Sequence, residues 1–151
     1  MSGTFDLERF VLAQDVGDAY TTAWAEIRQG EKRSHWIWYV FPQIAGLGLS
    51  GMSRVYAIAD LDEARAFLAH PVLGRRLREI TALANQHAPK SARDIFFNDD
   101  VKFRSCVTLF SLAAPEDPNF RAALDLFFGG VRDERTEAIL AAPATARRDG
   151  I

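Results

Sequence analysis

The residues best able to do chemistry lie between Lys32 and Ser53, in the run KRSHWIWYVFPQIAGLGLSGMS. Lys32, Arg33, His35, Gln43, Ser50 and Ser53 bracket a dense aromatic block, and Gly46, Gly48 and Gly51 follow it. Glycines so spaced permit positive φ and let backbone N–H groups approach a ligand. Aromatic walls, a few polar groups and a Gly-rich loop are what small-molecule pockets are usually made of. Trp36, Trp38 and, further on, Tyr56 would form the walls, with Lys32, Gln43, Gly48 and Ser53 as binding groups. His35 is placed to act as a general base or as a hydrogen-bond donor to a ligand. Each of these residues has a plainer role. Tryptophans fill cores, a histidine can hold a loop by bonding a backbone carbonyl, and G-L-G-L-S-G can be a turn. The glycine run lacks the Lys-Ser/Thr ending of a phosphate loop, and no clear strand precedes it.

A second cluster is Asn98-Asp99-Asp100-Val101-Lys102, followed by Ser105 and Thr108. Asp100 and Lys102 are candidates for acid–base work or for clamping an anion. Lys102, Ser105 and Thr108 recur every third residue, a polar edge beside the apolar face of one helix. The ordinary alternative is a capping acid at Asp99 or Asp100 with an exposed ion pair. Neighbouring carboxylates diverge on a helix, so Asp99 and Asp100 do not form a catalytic pair. Arg76, near the start of a helix after His70-Pro71, could receive a carboxylate or phosphate. The three histidines show no ligand spacing, and the single Cys106 allows neither an internal disulfide nor a cysteine-rich zinc site. No metal or cofactor is implied.

The elements that must position these residues are helices. Leu7, Phe10 and Val11 follow a cap at Asp6, and Ala19 to Ile27 share one face up to a stop at Gly30. Asp60 can cap a helix carrying Leu61, Ala64, Phe67 and Leu68. Pro71 suits the first turn of the next, with Leu73, Leu77, Ile80 and Ala84 inward. Ser91 and Asp99 can cap two more, the second with Phe103, Cys106, Val107 and Phe110 inward. Phe120 to Phe128 form a stripe stopped by Gly129-Gly130, and Thr136 to Ala141 a last short helix. Residues 34–43 have no helical period and favour a strand locally. In a chain otherwise helical, packing is expected to force them into a buried helix ended by Pro42. A small hairpin with residues 54–59 is the alternative. The expected fold is all-α: one compact multi-helix domain over residues 1–142, then a flexible tail over 143–151.

Totals narrow the function. The 151 residues, 48% hydrophobic with eleven Phe, three Trp and three Tyr, suffice for one core. Net charge is −2, and the basic groups Arg28-Lys32-Arg33 and Arg75-Arg76-Arg78 are diluted by Glu26, Glu31 and Glu79. They read as solvated helix surface, which argues against nucleic acid as a partner. No segment is apolar over a bilayer's thickness, and the first residues lack the positive charge and apolar stretch of a secretion signal. A cytoplasmic location, away from membranes, is the expectation.

The ordered motifs are specific. R-F-V-x-A-Q at 9–14, K-R-S-H-W-x-W at 32–38, F-P-Q at 41–43, G-L-G-x-S-x-M-S at 46–53 and Y-A-I at 56–58 belong together. A-H-P-V-L-G-x-R-L at 69–77, D-I-F at 94–96, D-x-K at 100–102 and T-L-F at 108–110 complete the set. Over residues 5–141 the chain resembles a bacterial family of helical domains of unknown function, sometimes labelled "calpastatin". That label does not fit, because calpain inhibitors of that name are long, disordered and repetitive. The resemblance implies a compact all-helical domain. It carries over His35, Trp38, Gln43, Gly48, Ser53, Tyr56, His70, Arg76, Asp100, Lys102, Ser105 and Thr108 as positions of a shared site. Phe97-Asn98 departs from the family pattern, where a glycine is expected, and so does Cys106, where a small hydroxyl residue is usual.

Two functions compete. One is an aromatic-lined polar pocket that binds a small anionic or nucleotide-like ligand, with hydrolysis left open. The other is a protein-interaction module without catalysis, docking a partner or a second copy. A cavity where the named residues converge would favour the first, and a large exposed apolar patch the second.

Overall fold

The structure is a computed structural model that describes residues 5–48 and 50–142, so the tail expected at 143–151 lies outside the described residues. Among the described residues, five helices begin at a short polar side chain that covers a free N–H group, and two end at a glycine in the left-handed region. Helix α1 (Glu8–Asp15) has no such cap. Leu7 stands at its N-cap without a side-chain bond, and Asp6 instead offers its carbonyl to the Arg9 guanidinium. Helix α2 (Ala19–Gln29) stops at Gly30, whose φ of 77° is cheap only for glycine. After it come the single turns α3 (Ile37–Val40) and α4 (Gly51–Val55), the latter capped by Ser50. Asp60 caps α5 (Leu61–Ala69), accepting from the Glu63 amide at 2.9 Å. His70 ends α5, and its Nδ1 accepts from the Val72 and Leu73 amides at 3.1 and 3.2 Å, at the start of α6 (Leu73–Asn85). One residue thus serves two helix ends, α5 through its backbone N–H and α6 through its ring.

Ser91 caps α7 (Ala92–Phe96), and a 3₁₀ turn over Phe97–Asp99 leads into α8 (Asp100–Ala113). Asp99 stands at the N-cap of α8 but makes no capping bond, because its carboxylate is engaged elsewhere. Asp117 caps α9 (Pro118–Phe128), which Gly129 terminates, and Asp133 caps α10 (Glu134–Ala141).

Helix α8 is the hub, packed by α5, α7, α9 and α10, while α6 joins α5, α9 and α2. A helix wrapped on most sides must be apolar on most sides. From Phe103 to Ala113 only Arg104 and Leu112 escape full burial. The polar edge expected along Ser105 and Thr108 is therefore interior, and these hydroxyls find partners inside. Gly74 shows how closely α5 and α6 approach: a Cβ there would lie 2.0 Å from the Leu68 carbonyl oxygen.

The aromatic run resolves into one turn of helix and an extended exit. Trp36, Ile37, Val40 and Phe41 enter the core. Beyond Pro42 the chain straightens, and Ile44 forms a parallel bridge with Ile58. The Ile58 amide donates to the Gln43 carbonyl and the Ala45 amide to that of Ile58, both at 2.8 Å. Segment 54–59 does supply the partner, but as a single parallel bridge rather than a hairpin. No strand longer than this bridge occurs among the described residues, and none of their helices is long and apolar enough to cross a membrane.

Candidate functional site

The bridge brings the turn after α3 alongside the end of α4, and α8 closes the third side. Between them lies a cavity of about 80 Å³ lined by Trp38, Gln43, Ile44, Leu47, Gly48, Ser53, Tyr56 and Lys102. Trp38, Gln43, Gly48, Ser53 and Tyr56, all within residues 38–56, are thus brought together with Lys102 of α8. The Trp38 indole, the Gln43 side-chain amide and the Tyr56 hydroxyl have no hydrogen-bond partner among the described residues. Lys102 Nζ sits 5.1 Å from the centre of the Trp38 ring. A Cβ on Gly48 would come within 2.7 Å of Ser53 Cβ and Oγ, so glycine here permits a close approach between loop and helix. The Ser53 hydroxyl donates to the Ser50 carbonyl at 2.8 Å, which fixes that contact.

Lys102 is held from behind. Asp99 Oδ1 accepts from Lys102 Nζ at 3.1 Å, and Asp99 Oδ2 pairs with Lys32 Nζ at 2.8 Å. Lys32 is only 8% exposed, not on the solvated surface as its neighbours in sequence suggested. Its ammonium lies 4.9 Å from the Trp36 ring centre. Two tryptophans two residues apart therefore each carry an ammonium, and one carboxylate joins the two cations. Burial pushes the Asp99 carboxyl up, but hydrogen bonds and charge from Lys32 and Lys102 outweigh it and hold it below its ordinary value. Sequence reasoning placed Asp99 as a cap and missed this role; the visible signal was an acid three residues before Lys102.

The other expected site residues lie off the cavity wall. Trp36 is in the core, its Nε1 donating to Glu26 at 2.9 Å. His35 is exposed beside it in sequence. Asp100 accepts from the Val101 amide at 2.8 Å in the first turn of α8. Arg76 ties α6 to α1, pairing with Asp15 at 3.0 Å and Gln14 at 3.1 Å, over the Tyr20 ring. Ser105 donates to Asp133 at 3.2 Å, and Thr108 accepts from the Asp133 amide at 2.9 Å, so both serve the cap of α10. Cys106 is fully buried, and burial pushes its thiol well above the ordinary range. No group of residues suited to hold a metal ion occurs among the described residues.

Phe97, in the turn before Asp99, has φ 53°, a left-handed conformation that favours glycine. Its side chain is about half exposed and adds little packing. Phe97→Gly is expected to raise stability by about 1 kcal/mol in urea denaturation, as relief of strain exceeds the added freedom of the unfolded chain. A destabilised variant would show that Phe97 contributes more by contact than by strain.

Comparison with known proteins agrees with the motif reading. Among curated proteins, none matches the chain. A solved structure does, the conserved hypothetical protein Rv1873 from Mycobacterium tuberculosis. The two share 45% identity over 93% of this chain and 99% of that one, with a TM-score of 0.89. The family model described as "Protein of unknown function (DUF1810)" matches residues 4–140, and the chain belongs to that family.

Proposed function

We propose that this protein binds a small anionic or nucleotide-like ligand in the cavity between Trp38, Tyr56 and Lys102. One observation carries the reading. Three side chains with unpartnered polar groups, Trp38, Gln43 and Tyr56, line the same cavity as a lysine. None of these three is a fully buried orphan, since the buried unpartnered side-chain atoms among the described residues are Thr81 Oγ1 and Asn85 Oδ1; their polar groups face the solvent of the cavity, which a ligand would replace. Two aromatic rings supply stacking area, and the lysine supplies charge. His35 and Asp100 lie away from this wall, so the geometry supports binding more than hydrolysis.

The test is a thermal-shift screen against nucleotides, sugar phosphates and carboxylates, with Trp38→Ala alongside. A ligand at a hundred times its Kd stabilises the fold by about 2.7 kcal/mol, and that shift is expected to vanish in the variant. No shift with any class, or one that Trp38→Ala leaves intact, would overturn the proposal. A second reading, docking of a protein partner, draws on an open groove of about 420 Å³ lined by Arg9, Leu12, Ala13, Val16, Tyr39 and Tyr56. Leu12 and Val16 are 60% and 72% exposed there. Substituting Leu12 and Val16 by serine separates the readings, because it should leave ligand shifts unchanged.

A further inference from the structure

We infer that the cavity accepts the planar, singly charged head of an organic carboxylate, and that Asp99 and Lys32 act as positioning residues for Lys102. This rests on the binding reading above and narrows it by size, charge and geometry.

Size comes first. A cavity of ~150 Å³ is what encloses one benzene ring, so about 80 Å³ admits only a few heavy atoms. A whole nucleotide does not enter. A flat head group does, leaving the apolar remainder to lie against Trp38, Tyr56, Ile44 or Leu47. Charge comes second. Among the described lining residues Lys102 is the lone cationic side chain, and none is acidic. Lys32, Asp99 and Lys102 together carry one net positive charge, which a carboxylate balances and a phosphate dianion exceeds. Arg135, donating to the Leu47 carbonyl at 3.0 Å, adds positive potential near this wall. Geometry comes third. A free lysine is a mobile point charge, but Lys102 is held between Asp99 and the Trp38 face. The Gln43 amide and Tyr56 hydroxyl add neutral donors of the kind that fix a carboxylate in plane.

The role of Asp99 makes a counterintuitive prediction. Removing a negative charge beside Lys102 makes the surroundings more positive, so a bystander Asp99 would weaken anion binding, and its loss would strengthen it. As a positioning residue its loss weakens binding instead. Asp99→Asn alone leaves Lys32 buried without its partner and can fail to fold. The double variant Lys32→Met with Asp99→Asn leaves no buried charge orphaned, keeps the net charge and frees only the partly exposed Lys102, so it is the informative protein.

The experiment is an NMR titration of the whole chain with benzoate, its neutral isostere benzamide, inorganic phosphate and AMP. The readouts are the Trp38 indole N–H and the Gln43 side-chain amide signals. Benzoate is expected to bind at least tenfold more tightly than benzamide or phosphate. Lys102→Met should erase that preference. The double variant should weaken benzoate at least fivefold while leaving benzamide unchanged, and Asp99→Glu should restore part of the preference. If benzamide or AMP binds at Trp38 as tightly as benzoate, the carboxylate assignment falls while the cavity remains a ligand site. If the double variant keeps or improves benzoate binding, the positioning role falls. If none of the four moves either signal, both the assignment and the binding reading fail.

Discussion

Phe103→Ala is expected to cost about 4 kcal/mol in urea denaturation at neutral pH. Phe103 has no exposed surface and stands where α7, α8 and α9 meet the aromatic exit of α3. Its ring stacks on Phe96 at 4.2 Å and meets Phe41 edge-on at 5.2 Å. Phe127 and Phe128 approach at 5.9 and 6.1 Å. Truncating a buried phenylalanine removes its transfer free energy and leaves a cavity, and each lost aromatic pair adds a further fraction to the cost. A ring cluster braced from four sides has little room to collapse into the gap. Such a loss is a large share of the 5–15 kcal/mol that ordinarily separates folded from unfolded chains. Phe103→Leu, which keeps most of the volume, should cost about 1.5 kcal/mol. A loss under about 2 kcal/mol for the alanine variant would mean that the cluster rearranges rather than resists.

Glu26→Ala is expected to cost about 3 kcal/mol, through orphaned donors rather than lost volume. The Glu26 carboxylate accepts from the Arg33 and Ser34 amides at 2.7 and 2.9 Å, the Ser34 hydroxyl at 2.5 Å and the Trp36 indole at 2.9 Å. It anchors the whole entry into the aromatic block, and with it the approach to Trp38. Burial alone would raise its pKa, but these four bonds outweigh burial and hold the carboxyl below its ordinary value. With the folded value depressed, this stabilisation is complete above the unfolded value near 4.5 and is lost as pH falls through the lower folded value. Urea midpoints between pH 7 and pH 3 should fall less steeply in Glu26→Gln than in the natural protein. Equal slopes would remove Glu26 as a source of acid sensitivity.

Local signals were legible where one residue decides the matter. Asp60, Ser91, Gly30 and Gly129 act as helix boundaries by short-range hydrogen bonding or backbone freedom, and the structure uses all four that way. Asp6 and Asp99 looked equivalent in sequence and do not cap. Asp6 stands one residue before the N-cap Leu7, and two lysines, one of them 67 positions away, compete for the Asp99 carboxylate. The polar edge expected along Ser105 and Thr108 faces inward, toward a partner, Asp133, that lies 28 and 25 residues downstream. Trp36 and Trp38 differ by two positions, which on a helical turn sends one ring inward and leaves the other half-exposed at the cavity. Composition cannot make that distinction; the turn at Ile37–Val40 does.

The parallel bridge between Ile44 and Ile58 closes a ring of chain that carries most of the cavity wall while leaving the main helices outside it. Closure entropy grows only with the logarithm of loop length, and doubling such a ring costs about 0.6 kcal/mol. Insertions between the bridge residues can therefore reshape the pocket at little thermodynamic penalty, whereas an insertion in α8 would shift the register of Phe103 and Phe110 at once. Edits to one tethered loop can change the shape of the cavity, with the scaffold left as it is.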